Sequence, residues 1–169
     1  MIRAAIVALV AFVPMLAEAR RSRRNERTLR LLGAIEPAHD VYDLMQIAYP
    51  ACFLAIAGEA LLRDVPLGWS FAAGVVVFAA AKALKYWAIG TLGDRWTFRV
   101  LVLPGRPLVT GGPYRLMRHP NYLGVAGELV GAALMAHASF TGVVALGVFG
   151  TLMLARIRVE ERALADGHN

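Results

Sequence analysis

Residues 138–155 read ASFTGVVALGVFGTLMLA, 18 consecutive positions without a charged side chain. A helix needs about 20 apolar residues to cross a bilayer, and fewer where the bilayer is thinned or the helix sheltered. Working outward, similar runs recur. Residues 44–62 carry one charge, Glu59, and residues 2–17 carry only Arg3. Residues 66–89 are apolar until Lys82 and Lys85, and 121–137 contain a single acid, Glu128. Five spans follow, at about 2–18, 44–62, 66–89, 121–137 and 138–156. Backbone polar groups in lipid must be satisfied within their own element, so the spans are expected to be helices. The alternation of a membrane barrel strand is missing. The fold class expected is an all-α integral membrane protein of about five transmembrane helices. Residues 1–169 are expected to make a single membrane domain. Its first part, 1–92, holds three helices, and 93–169 holds a polar loop, a helical hairpin and a C-terminal cytoplasmic helix.

The 169-residue chain is 58% hydrophobic with a net charge of +6. Its basic residues lie in clusters: Arg20, Arg21, Arg23, Arg24, Arg27 and Arg30 after span one, Lys82 to Arg118 around the end of span three, and Arg156, Arg158 and Arg162 after span five. Of the 18 basic residues, all but Arg3 and Arg63 fall at the same alternate ends of the helices. The positive-inside bias then puts the N-terminus outside and the loop and C-terminus in the cytoplasm. Basic flanks of membrane helices explain the arginines more simply than nucleic acid does, so no nucleic-acid partner is expected. Ala17-Glu18-Ala19 imitates a signal-peptide cleavage site, but the arginines behind it mark a retained helix. The lone Cys52 is expected to pack in the core. His39, His137 and His168 have no convergent partners, so no metal site is expected.

Residues 20–43 read as a polar connection, partly helical. Pro50 is expected to kink span two. The short 63–66 turn predicts an antiparallel hairpin of spans two and three, and Lys82, Lys85, Tyr86 and Trp87 read as an interfacial mixture of cations and aromatics. Residues 93–120 are unusual: GDRWTFRVLVLPGRPLVTGGPYRLMRHP holds four prolines and, from Gly105 on, three glycines that break regular structure. Long loops of this kind are often functional. Spans four and five form a tight hairpin around His137–Phe140. Gly124, Gly127, Glu128 and Gly131 lie on or near one face of span four, where small residues let helices approach closely.

Several residues could carry chemistry. Arg118-His119-Pro120-Asn121-Tyr122 stands where the loop meets span four. Pro120 suits a first helical turn, whose free N–H groups favour anions. His119 offers a polar contact, and Tyr122 an aromatic face for a cation. The bland alternative is a headgroup anchor. Glu160 and Glu161 point about 100° apart on a helix. They belong either to an ion-paired helix end, through Arg156–Glu160 and Arg158–Glu161, or to a site in which Arg156 and Glu160 face the loop. Glu128, an acid within a span, is a functional candidate or a structural group paired with a loop arginine. Glu59 and Arg63 are spaced as an i,i+4 pair snorkelling to the interface.

Taken together, LVTGGPYRLMRHPNYLG at 108–124, the hairpin at 121–156 and the Glu160-Glu161 pair resemble the isoprenylcysteine carboxyl methyltransferase family. There a G-x-Y is followed by R-H-P-x-Y-x-G, a helical hairpin and an E-E pair, and the order and spacing match over 106–164. SRRNERTLRLLGAIEP, Tyr42, Met45 and LGDRWTFRVLVLPG resemble a bacterial branch that includes alkylpyrone and alkylresorcinol O-methyltransferases. Tyr49 departs from that branch, which usually carries histidine there.

The resemblance implies an enzyme that uses S-adenosyl-L-methionine to methylate an oxygen (carboxylate, enol or phenol) of a lipophilic or lipidated substrate. Membrane lipids would surround it, in the bacterial inner membrane, with the active site facing the cytoplasm. Pro107, Leu108 and Val109 would supply backbone and apolar wall to the cofactor. Tyr114, His119, Pro120, Asn121 and Tyr122 would line its pocket, and Glu160 would hold its polar part, with Arg106 beside this set. Arg156 would face the acceptor, and Glu128 is the candidate base if the acceptor is a phenol. The alternatives are an NADPH-dependent membrane sterol or enone reductase, a phospholipid N-methyltransferase, and a non-enzymatic lipid-binding protein. The reductases share R-H-P-N-Y but usually place Glu directly after the following glycine, where this chain has Val125.

Overall fold

The computed structural model describes residues 1–38, 40–63 and 65–166, and the backbone alone at Asp166. His39, Asp64 and His168, on which readings above fall, lie outside the described residues. Among the described residues five α-helices make up the fold: α1 (Ile2–Leu31), α2 (Tyr42–Leu62), α3 (Trp69–Leu92), α4 (Pro120–Ala136) and α5 (Ser139–Asp166). Short 3-10 turns at Gly93–Arg95 and Gly112–Arg115 punctuate the long loop. No strand forms among the described residues, which contain one isolated antiparallel bridge, Ile35 to Val102.

Four helices are long and apolar enough to cross a membrane: α1, α2, α3 and α5. The remaining expected span, 121–137, forms as α4, which at 17 residues reaches about 25 Å. Leu9, Val13, Ile47, Leu54, Val76, Val143 and Leu154 stand exposed along the helices, as side chains that face lipid rather than water do. The inward faces carry buried aliphatic and aromatic residues: Val7 and Ala11 of α1, Phe53 and Ile56 of α2, Leu129 and Ala132 of α4, Phe149 and Met153 of α5.

The glycine face of α4 decides the central packing. A Cβ added to Gly131 would lie 2.6 Å from the Phe78 backbone nitrogen, and one on Gly124 would lie 2.9 Å from the Lys85 Cβ. Without side chains at these positions α4 lies antiparallel against α3. The expected hairpin of α2 on α3 is therefore corrected. A short turn fixes direction but not contact, and α3 is drawn onto α4 while α2 packs against α1, α5 and α4. The α4–α5 hairpin forms as expected, through His137 in the left-handed region at φ 55°. Its far end is fixed by Glu59, which pairs with Arg63 at 2.7 Å and accepts from the Thr141 amide and hydroxyl at 2.8 and 2.7 Å.

The helical part expected of the 20–43 connection is residues 20–31, which extend α1 because Ser22, Asn25 and Leu29 are buried on one face of it. That face holds the loop: Asn25 Nδ2 donates to Gly93 O at 3.1 Å and Trp96 O at 2.7 Å, and Ser22 Oγ accepts from the Phe98 amide at 2.7 Å. Lys82 and Lys85 are not interfacial. They turn inward, where Lys82 Nζ meets Glu18 at 2.9 Å and Glu128 at 3.2 Å, and Lys85 Nζ meets the same two acids at 2.7 and 3.3 Å. Glu128 accordingly pairs with lysines of α3 and not with a loop arginine. It also accepts from the Tyr49 hydroxyl of α2. This neutral quartet of two lysines and two glutamates ties α1, α3 and α4 together directly beneath the loop.

Candidate active site

The loop, the C-terminal ends of α1, α3 and α5, and the first turns of α2 and α4 meet at one end of the bundle. There the R-H-P-N-Y segment caps α4, with His119 before the helix and Pro120 as its first residue. The preceding G-x-Y turn depends on Gly112. Its φ is +54°, and a Cβ there would sit 2.4 Å from Thr91 Oγ1, so only glycine lets the turn lie against α3. The turn presents Tyr114, whose phenol is pushed well above its ordinary value by burial and by Glu160. It therefore stays a neutral hydroxyl.

Tyr122 is the hub. Its hydroxyl donates to Glu160 Oε2 at 2.8 Å and accepts from Arg156 Nε at 2.9 Å. Arg156 and Glu160, one turn apart on α5, are thus joined through the phenol of α4 rather than by the direct i,i+4 pair that spacing allowed. Arg156 is 5% exposed. Its Nη1 donates to Asp40 Oδ1 at 3.0 Å and Oδ2 at 3.2 Å, and its Nη2 donates to Phe98 O. Glu161 faces outward to His119 Nε2 at 3.2 Å and Arg118 at 3.3 Å, so the adjacent acids clasp opposite ends of one motif. The His119 and Tyr122 rings lie 5.6 Å apart.

Two cavities meet at this hub. One, of about 590 Å³, is lined by Arg95, Tyr114, Arg118, His119, Asn121, Tyr122, Glu160 and Leu164. The second, of about 1150 Å³, runs between α1 and α2 and is lined by Met15, Leu16, Met45, Pro50, Val125 and Phe149, with Tyr49 and Lys85 at its polar side. Trp96, Thr97, Asn121, Tyr122 and Arg156 line both. They form the wall between a chamber that holds the charged and polar groups of the motif beside apolar ones such as Leu92, Val100 and Leu101, and a second, mostly apolar chamber. Within that wall Asn121 Oδ1 is buried without a hydrogen-bond partner, a costly state unless something donates to it.

The structure brings together Tyr114, His119, Asn121, Tyr122, Arg156 and Glu160. Pro120 is buried beneath them. Pro107, Leu108 and Val109 do not line the cavity. Pro107 O accepts from Arg95 Nη1 at 2.7 Å, Leu108 is 54% exposed, Val109 is half-buried and Arg106 is exposed. Glu128 lines neither cavity and meets the apolar one through Tyr49 and Lys85. Sequence reasoning missed Trp96, Thr97 and Asp40. Trp96, a large aromatic in an otherwise broken loop, was the one available signal.

The two chambers lie back to back inside a helical bundle clad in apolar side chains. Residues 72–166 match the model of the isoprenylcysteine carboxyl methyltransferase (ICMT) family. The chain belongs to that family and is an integral membrane methyltransferase. It is 34% identical over 136 residues to the uncharacterized protein YpbQ of Bacillus subtilis, covering 79% of this chain and 80% of that one. It is 29% identical over 134 residues to an uncharacterized protein of Haemophilus influenzae, covering 79% and 78%. No solved structure matches the chain significantly.

Proposed function

We propose that the protein methylates an oxygen of a lipophilic acceptor, using S-adenosylmethionine bound in the polar cavity. The observation that carries this reading is the shared wall: Tyr122 and Arg156 face both chambers, so groups held on either side meet across it. When bound, S-adenosylmethionine supplies a methyl group on a sulfonium that is open to attack by an oxygen nucleophile. The residues present fit it. The unpartnered Asn121 Oδ1 offers an acceptor to an amino group, the Tyr114, His119 and Tyr122 rings offer π faces to a cation, and the Glu160 carboxylate suits a cationic head. These residues work by positioning, which can account for a large part of a methyl-transfer barrier.

Arg156 stands at the end of the apolar cavity. Its guanidinium carries five N–H donors, and the four bonds above use at most four, so a donor remains for the acceptor oxygen. Tyr49 lines the same cavity and donates to Glu128, which gives a protonated acceptor a path for its proton. An acceptor already anionic needs none. Apolar walls between α1 and α2 suit an amphiphile arriving from the bilayer, and the clustered arginines support a cytoplasmic orientation of the polar chamber, in a bacterial inner membrane under this reading. The test is to separate the two chambers. Glu160→Gln should weaken S-adenosylhomocysteine binding about tenfold or more, the scale of a lost charge-assisted bond. Arg156→Ala should leave that affinity within about threefold and depress methyl transfer. Equal, small losses in both variants would mean that the two residues only brace the Tyr122 hydroxyl, and would sink the assignment.

A further inference from the structure

Asp40 lies in the connection between α1 and α2, yet its side chain is only 5% exposed and that of Arg156 only 6%. Both Asp40 oxygens accept from Arg156 Nη1, and Oδ2 also accepts from the Val100 amide at 3.2 Å. The carboxylate therefore joins three segments: the connection, the loop and α5. It also cancels the charge that an acceptor would meet. Lys85, the other buried cation on the apolar cavity, is closed in the same way by Glu18 and Glu128. Arg99, beside Tyr42, is taken by Glu36 at 2.7 Å and Asp43 at 3.3 Å. Glu160 adds a further negative charge behind the Tyr122 hydroxyl. A free carboxylate entering the cavity would thus find no uncompensated buried cation. To reach Arg156 in a bidentate pair it would have to displace Asp40 and release the Val100 amide with it.

We propose that Asp40 is a positioning and specificity-determining residue, which holds Arg156 as a neutral pair and so makes the site favour a hydroxyl oxygen over a free carboxylate in the acceptor. This rests on the reading of Arg156 given above and narrows its acceptor class. Asp40 fixes the plane of the guanidinium, and the N–H left over is a single directed donor, which suits one oxygen better than two. The proton of a hydroxyl acceptor leaves by way of Tyr49 to Glu128. Removing the Asp40 charge without changing its shape frees a buried cation, and such a cation gains most from an anion.

The experiment is calorimetry on the full chain in detergent, with octanol and octanoate as probes of the apolar cavity and S-adenosylhomocysteine as probe of the polar one. The wild type is expected to bind octanol at least as tightly as octanoate. Asp40→Asn should keep S-adenosylhomocysteine affinity within about threefold and shift the octanoate-to-octanol preference toward octanoate by about tenfold or more. Asp40→Glu should restore the wild-type preference. A variant that keeps S-adenosylhomocysteine binding but shows no shift overturns the proposal, as does a wild type that prefers octanoate tenfold or binds neither probe. If Asp40→Asn does not fold, Asp40→Ser, which also removes the charge, takes its place with the same expected shift and the same refuting result. Failure of the wild type to bind S-adenosylhomocysteine would remove the cofactor reading and leave the octanol and octanoate comparison intact.

Discussion

Glu128→Gln should be among the most destabilising single changes in the chain. Glu128 is 1% exposed and sits 3.2 Å from Lys82 Nζ and 3.3 Å from Lys85 Nζ. With Glu18 the four groups sum to zero charge. Replacing one carboxylate by an amide leaves two lysines facing one acid in a buried setting. Breaking a buried pair in this way costs about 3–5 kcal/mol. On the scale of about 2–4 °C per kcal/mol for soluble chains of this length, the melting temperature falls by roughly 6–20 °C. The chain has three tryptophans, so intrinsic fluorescence during heating of the detergent-purified protein reads the transition. Lys82→Met combined with Glu128→Gln restores neutrality and leaves Lys85 on Glu18 at 2.7 Å. The double variant should therefore recover at least half of the loss, although two charges are gone. A shift below about 2 °C for Glu128→Gln, or a double variant as unstable as the sum of the singles, would refute the reasoning.

Tyr122→Phe deletes the hydroxyl that joins Arg156 to Glu160 while keeping the ring, and S-adenosylhomocysteine affinity measured by calorimetry should fall about fivefold or more; unchanged affinity would reduce the hub to packing. Cysteines placed at Thr110 and Ala165 should be labelled by an impermeant reagent only from the cytoplasmic side of intact membranes, with the buried Cys52 giving little background. Labelling from outside at either site would overturn the orientation. Glu36 should make the loop acid-sensitive. Burial would raise its carboxyl, but hydrogen bonds from Arg99 and Arg30 prevail and hold it below its ordinary value of 4.5. A depressed carboxyl contributes stability that is present above the unfolded value and lost as pH falls through the folded one. Hydrogen exchange at the Val102 amide, bonded to Ile35 O at 3.0 Å, should therefore quicken as pH drops below about 4.5 beyond its intrinsic trend, and Glu36→Gln should abolish the extra acceleration.

Much of this was legible in the sequence because single-helix properties are local. An apolar run such as 138–155 declares its own helix, and the prolines and glycines of 93–120 declare a break in regular structure. The small face of α4 was also visible, at Gly124, Gly127 and Gly131. What it packs against was not, since a glycine stripe states that some backbone comes close without saying which. That gap produced the α2–α3 hairpin, inferred from loop length alone. The lysines of α3 show the same limit. A cation near the end of a span serves equally as an interfacial anchor or as a buried partner, and only the fold brings Glu18 across to Lys82. Asp40 was invisible for a related reason. A lone acid in a polar connection has no periodicity to mark it, and its meaning comes from Arg156, 116 positions later.

The central claim is that the polar cavity at the loop binds S-adenosylmethionine. It is tested most directly by calorimetry of the detergent-purified wild-type chain against S-adenosylhomocysteine and, separately, NADPH. One S-adenosylhomocysteine should bind per chain, with affinity lost in Glu160→Gln, and NADPH should give no binding heat. Saturable NADPH binding with no response to S-adenosylhomocysteine would contradict the claim.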